Sequence, residues 1–291
     1  MRTAVITLAA GRHAHLRRQQ DGLAAGSRAP DAYVVVAMGD PGVAGAVAGR
    51  APAADVVDVP AGEGGLPLAA ARNAGARRAL ELGADLLVFL DVDCVPGAET
   101  IGRYGDVARR DVPALLCGTV AYLPPPGEGG YRLADLPGLA PPHPARPAPA
   151  PGEVLRDGDH DLFWSLSFAL TARTWREIGG FCEEYTGYGG EDTDFAQTAR
   201  ARGVPLWWTG GAPAYHQHHP TSSPPVQHLD DILRNAAVFH RRWGRWPMGG
   251  WLRAFAERGL VARGPGGSWH RTGSAGGAAG TLPPAGSSSG R

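Results

Sequence analysis

Three clusters of side chains are spaced for chemistry. The first is Asp91-Val92-Asp93. Alternate residues of an extended segment share a face, so these two carboxylates can aim the same way. Converging carboxylates repel unless a cation sits near them, and oxygen ligands suit Mg²⁺ or Mn²⁺. A solvated acidic turn is the competing explanation. The second cluster is Gly187-Tyr188-Gly189-Gly190-Glu191-Asp192-Thr193-Asp194-Phe195. Its acids fall at a predicted helix start, where each gains roughly 0.3–1 kcal/mol from the helix dipole. Asp192 or Thr193 could simply cap that helix. Capping leaves the preceding glycines and aromatic unexplained. Gly190 and its neighbours let backbone approach a ligand, and the Tyr188 face suits a sugar ring. A carboxylate at the mouth of such a pocket is a natural general base. The third cluster is Tyr215-His216-Gln217-His218-His219. Three imidazoles invite zinc, but no cysteine lies nearby and no His-Glu-x-x-His helix exists. One imidazole, His216, added to a carboxylate-held Mn²⁺ fits better, with the other histidines as surface or structural groups.

Composition excludes several other chemistries. All 28 basic residues are arginine, so no Walker A lysine, lysine Schiff base or lysine nucleophile can exist. The 28 acids balance them, and a net charge of zero gives no general pull toward nucleic acid or anionic membrane. The three cysteines, Cys94, Cys117 and Cys182, are too scattered for a disulfide framework or a cysteine zinc site. No stretch approaches the ~18–20 apolar residues of a membrane span. The apolar start at Met1–Leu8 is too short for a signal sequence. A cytoplasmic location is the expectation.

These clusters need elements to hold them. Ala4–Leu8, Tyr33–Ala37, Asp55–Val59 and Leu86–Leu90 read as strands, and His15–Leu23 and Leu68–Leu82 as helices between them. Continuous apolar strands alternating with helices predict an α/β fold with a mainly parallel central sheet flanked by helices. In such sheets ligands sit at the carboxyl ends of the strands. Ala9–Arg12, Gly39-Asp40 and Asp91–Asp93 therefore matter most. Beyond them, Pro124–Pro151 reads as an irregular proline-rich loop. Phe163–Thr171 reads as a strand, Thr174–Ile178 and Asp192–Arg202 as helices, Leu206–Trp208 as a short strand, and Leu229–Trp243 as an amphipathic helix. The expected organisation is a catalytic domain over 1–228, a helical extension over 229–262 and a disordered tail over 263–291.

Taken in order, the motifs resemble those of the GT-A nucleotide-sugar glycosyltransferases. More narrowly, they are similar to the family 2 type whose C-terminal part resembles β-1,4-galactosyltransferases and chondroitin polymerases. The resemblance rests on Ala71-Arg72-Asn73-Ala74-Gly75, Asp91-Val92-Asp93, Ile178-Gly179-Gly180-Phe181, Gly187–Phe195 and Ala214-Tyr215-His216-Gln217, and covers roughly residues 3–220. It implies a single Rossmann-like GT-A domain, a nucleotide-sugar donor, usually a UDP-sugar, and Mn²⁺ or Mg²⁺. It implies that Arg12 contacts the nucleotide, Asp40 reads the base, Arg72 lies near the diphosphate and Asp91 touches the ribose or donor sugar. Asp93 and His216 would hold the metal. Asp192 would be the catalytic base, with Glu191 a sugar contact beside it. Gly39-Asp40 stands where many members have paired aspartates.

The implied reaction inverts the anomeric centre. Retaining relatives resembling polypeptide N-acetylgalactosaminyltransferases tend to carry Glu-Asn where this chain has Glu191-Asp192. The acceptor would be a glycan, a lipid-linked group or a small molecule. Trp164 either stacks on a sugar or fills the core. Phe239–Pro247, mixing arginine with tryptophan, either docks a C-terminal helix or meets a membrane surface. Two rival functions remain. Leu8-Ala9-Ala10-Gly11-Arg12 resembles the start of a sugar-phosphate nucleotidyltransferase loop, but His13 replaces a glycine and that family's lysines are missing. A non-catalytic carbohydrate-binding protein on a degenerate GT-A fold is the other, since fold alone does not prove activity.

Overall fold

The computed structural model describes residues 1–62, 64–110 and 113–272. The elements run β1 Thr3–Ala9, α1 His13–Ala24, β2 Ala32–Met38, α2 Gly42–Val47, β3 Ala54–Val59, α3 Leu68–Glu81, β4 Leu86–Leu90 and β5 Cys94–Pro96. They continue with α4 Thr100–Ala108, β6 Leu115–Tyr122, α5 Leu136–Leu139, β7 Val154–Gly158, β8 Ser167–Thr171, α6 Ala172–Ile178, α7 Glu191–Ala201 and β9 Leu206–His216. The C-terminal part holds α8 Leu229–Trp243, α9 Gly249–Glu257, and the hairpin β10 Val261–Arg263 with β11 Trp269–Arg271.

The main sheet has the order β3-β2-β1-β4-β8-β6-β9-β5, with β7 also paired to β9. The first four strands are mutually parallel. β8 enters antiparallel between β4 and β6, and β9 then runs parallel to β6. The apolar runs β1, β2 and β4 are buried along nearly their whole length because both sheet faces are covered. On one face Ile6, Val36 and Phe89 meet Ala76 and Ala79 of α3, Trp175 of α6 and Phe195 of α7. On the other, Val5, Val35 and Val88 meet Leu16 of α1, Val43 of α2 and Tyr104 of α4.

Several boundaries differ from the sequence expectation. β8 begins at Ser167, because Phe163–Leu166 turns away so that the Leu166 carbonyl accepts the Asp91 N–H at 2.9 Å. β9 does not stop at Trp208 but continues to His216, pairing with β6 and β5. The proline-rich loop contains α5 and a single helical turn at Leu133–Asp135. The expected disordered tail is corrected over its first residues, because β11 pairs with β10 in register Val261↔Arg271. The remainder of that tail, 273–291, lies outside the described residues.

The helical extension is docked. Phe239 is fully buried, and Trp243 Nε1 and Arg242 Nε both donate to Asp194 at 2.7 Å. Trp246 stacks on His240 at 4.2 Å, and Arg245 bonds Asp161 at 2.5 Å. Docking therefore describes the Phe239–Trp246 segment, rather than a free membrane-facing surface. No helix among the described residues is long and apolar enough to cross a membrane.

Candidate active site

The carboxyl ends of β1, β2 and β4 converge as the sheet order requires. Asp91-Val92-Asp93 forms the tight connection from β4 to β5, closed by the Cys94 N–H donating to the Asp91 carbonyl at 2.8 Å. Gln19 of α1 braces it from beneath. Its buried amide donates to the carbonyls of Asp91 at 2.6 Å and Cys94 at 3.0 Å, while Thr7 and Tyr33 hydroxyls donate to its oxygen. Nothing in the sequence distinguishes this glutamine from an ordinary helix residue.

Asp93 meets the histidines through strand register. β5 pairs antiparallel with β9 so that Cys94 lies opposite His216, and the Gln217 N–H donates to the Asp93 carbonyl at 2.7 Å. This sets His216 Nε2 3.5 Å from one Asp93 oxygen and His219 Nε2 3.4 Å from the other. One ligand atom from each of Asp93, His216 and His219 lies within 4.8 Å of the others. The cluster expected from sequence, Asp93 with His216, thus gains His219. His218 between them is exposed and stays outside. A carboxylate with two imidazoles is a donor set that fits a divalent transition ion. Arg12, in left-handed backbone (φ 50°) just before α1, bonds the second Asp93 oxygen. The facing cations and imidazoles hold the Asp93 carboxyl below the ordinary range despite its burial. Burial moves His216 the other way, favouring neutral imidazole.

Asp40 lies at the end of β2, but its carboxylate is already engaged. It accepts from the Gly11 N–H at 2.6 Å, His13 at 2.8 Å and the Gly42 N–H at 2.9 Å, and these bonds hold its carboxyl low. It therefore ties the β1 and β2 loops together, and any nucleobase contact must share those oxygens.

Arg72 of α3 joins the two acidic motifs. Its buried guanidinium donates to Glu191 at 3.1 Å and to Asp91 at 3.4 Å, and lies 5.2 Å from the Phe181 ring centre. The next residue, Asn73, donates to the Phe181 carbonyl and accepts its N–H, both at 2.9 Å. One helical turn thus reads Asp91, Glu191 and the Gly180-Phe181 turn together. Burial pushes the Asp91 carboxyl up to about 6, with the Asp93 and Asp192 charges adding and Arg72 opposing.

The three acids of the second motif take separate roles. Gly190, at φ 94°, starts α7 in a conformation that disfavours other residues. Glu191 is 6% exposed, and burial followed by the Asp192 charge pushes its carboxyl up to about 7 against the Arg72 ion pair. Asp192 is half-buried and accepts from its neighbour's backbone, the Thr193 N–H, at 2.7 Å. Asp194 points away from the site and receives Tyr185, Arg242 and Trp243. Tyr188 stacks on His228 at 4.4 Å, lies 5.8 Å from the Trp251 ring and is 39% exposed. Trp164 is half-buried, with the Arg146 guanidinium 3.5 Å above its ring and His143 at 5.1 Å. Trp164 thus packs partly against the core.

Glu191 gives a pH prediction. Its folded pKa lies above its ordinary 4.5. The unfolded chain releases this proton first, so stability falls as pH rises from about 4.5 to about 7 and is flat above. Wild type should therefore lose about 1–3 kcal/mol relative to Glu191→Gln between pH 5 and pH 8. Urea unfolding of both proteins at the two pH values checks this, and parallel behaviour would refute it.

A cavity of about 800 Å³ lies elsewhere, between α1, the start of α4 and the proline-rich loop, against Pro96, Leu136 and Tyr215.

Comparisons with known proteins bear on the fold and the class of enzyme. A family model described as the N-terminal domain of galactosyltransferase matches residues 158–218, which hold Glu191, Asp192 and His216. A validoxylamine A glucosyltransferase of Streptomyces hygroscopicus subsp. jinggangensis (strain 5008) is 28% identical over 192 residues, covering 58% of this chain and 45% of the relative. The enzyme of that name from S. hygroscopicus subsp. limoneus is also 28% identical over 192 residues, covering 58% and 42%. The chain thus matches under half the length of these curated relatives. Among solved structures, GalNAc-T7 with UDP, GalNAc and Mn²⁺ superposes with a TM-score of 0.55 at 16% identity, over 80% of this chain and 48% of that one. S. aureus TarS 1–349 gives 0.54 at 14% identity, over 81% and 65%. The chain has the GT-A glycosyltransferase fold.

Proposed function

We propose that this GT-A glycosyltransferase is a metal-dependent inverting enzyme of the family 2 type, moving a sugar from a nucleotide-sugar, in first place a UDP-sugar, to an acceptor hydroxyl. The observation that carries the proposal is a metal-competent cluster, Asp93-His216-His219, together with the Arg72 bridge from Asp91 to Glu191, the residue before Asp192. When bound there, Mn²⁺ or Mg²⁺ supplies positive charge to a diphosphate leaving group. Arg12, beside Asp93, adds a second positive group for the same phosphates. Glu191, held by Arg72, lines the sugar position next to the base. Asp192 accepts the proton of the acceptor hydroxyl as its oxygen bonds to C1 of the donor sugar. The bond from C1 to the diphosphate oxygen breaks on the opposite face, which inverts the centre.

Calorimetric titration of UDP and GDP with and without Mn²⁺ tests the donor half. Mn²⁺ should tighten UDP binding at least tenfold, and Asp93→Ala should abolish that gain. Metal-independent binding, or no binding of either nucleotide, would overturn the metal-dependent reading. The GalNAc-T7 structure, which contains UDP and Mn²⁺, supports beginning with this pair.

A further inference from the structure

One buried cation has no polar partner among the described residues. Arg146, in the proline-rich loop, is only 8% exposed. Its Nε and Nη2 are enclosed with no hydrogen-bond partner, and Nη1 likewise bonds nothing among the described residues. No carboxylate forms an ion pair with it among those residues. Burial pushes its guanidinium down only to about 10, so it stays charged at neutral pH. A buried charge without a partner is costly. Stacking 3.5 Å from the centre of Trp164 and 5.6 Å from that of Trp208 offsets part of that cost. Ring faces, however, do not satisfy N–H groups that lie in the guanidinium plane.

The loop that carries Arg146 is held in place. The His143 N–H donates to the Val120 carbonyl of β6 at 2.7 Å, and the Arg146 N–H to the His143 carbonyl at 3.2 Å. From Arg146 a run of rings leads to the metal cluster. Trp164 meets His143 at 5.1 Å, His143 meets Tyr122 at 5.3 Å, and Tyr122 stacks on His216 at 4.4 Å. Tyr122 is 44% exposed, so the run borders open space. Among carboxylates, Asp192 acts on Arg146 most strongly, without bonding it. Arg146 therefore lies at the far end of the ring run from the metal cluster and within the field of the proposed base.

We propose that Arg146 is an anion receptor in the acceptor half of the site, and that the acceptor sugar carries a carboxylate or phosphate group. The proposal rests on the transferase reading above. A planar guanidinium offers parallel N–H donors that match two oxygens of either group.

The test uses the full chain, titrated with glucose, glucuronate and glucose 6-phosphate, with and without UDP and Mn²⁺, by calorimetry and saturation-transfer NMR. At least one anionic sugar should bind tenfold or more tightly than glucose, and which one does so distinguishes carboxylate from phosphate. Arg146→Gln should erase that preference, and Arg146→Lys should keep part of it. Both variants should still bind UDP with Mn²⁺, which shows that they fold. Equal binding of all three sugars by wild type overturns the proposal. So does a preference that survives in Arg146→Gln, even if the activity–pH profile shifts, since Arg146 would then serve only Asp192. Failure of wild type to bind UDP sinks the transferase reading instead, and the metal-free sugar titrations still decide the role of Arg146.

Discussion

Asp192→Asn should lower sugar transfer by about 10²–10⁴-fold while leaving UDP affinity within about threefold of wild type. The change removes a proton acceptor and one negative charge while keeping the local bonds. Asp192 uses one oxygen to accept from the Thr193 N–H at 2.7 Å and the Thr193 hydroxyl at 3.3 Å, and the asparagine oxygen can keep both bonds. The first turn of α7 thus keeps its bonds to residue 192, and Glu191 keeps its bond to Arg72. The donor half, built on Asp93, Arg12 and the histidines, bonds other partners. Initial rates and UDP titrations on the same preparation check both halves of the expectation. Unchanged turnover would remove Asp192 from the mechanism. A parallel loss of UDP binding would show that it belongs to the donor site.

Much of this arrangement was legible in the sequence, and the limits were physical ones. The apolar runs of β1, β2 and β4 revealed themselves because both their faces are covered. The acids after β4 then followed from where such sheets bind ligands. No element was assigned to β6, although it holds eight consecutive sheet residues. Gly118 interrupts its apolar run, and the reason is tertiary. A Cβ there would lie 1.9 Å from the Ala212 carbonyl oxygen, where the β6–β9 register shifts. Gly210, Gly211 and Pro213 made β9 look finished at Trp208, yet its continuation is what delivers His216. His219 joins the cluster through the turn after β9, and local spacing cannot fix that path. Arg146 sits in a run of prolines that announces only the absence of regular structure. Its burial comes from Trp164 and Trp208, which lie on other parts of the chain.

Asp194 differs from its neighbours in its partners, and its loss should have a structural effect instead of a catalytic one. Helical spacing sets Asp194 three residues from Glu191, on the buried side of α7. Its partners come from sequence positions that no local pattern connects. Tyr185 donates at 3.1 Å, and Arg242 and Trp243 of α8 each donate at 2.7 Å, all to one oxygen. Asp194 is 1% exposed, so replacing it with alanine leaves three donors without their acceptor at the α7–α8 junction. Breaking a buried charged network typically costs 3–5 kcal/mol. Arg242 is one-third exposed and can recover water, so the expected loss for Asp194→Ala is about 2–4 kcal/mol. Asp194→Asn keeps one acceptor oxygen and should lose about 1–2 kcal/mol. Urea midpoints of the three proteins should follow that order, with residual transfer per folded molecule close to wild type at low temperature. A loss of turnover in a fully folded Asp194→Asn protein would mean that α8 docking shapes the cleft as well as the core. In that case Tyr188, which contacts Trp251 of α9 at 5.8 Å, is the side chain through which the change would reach the sugar.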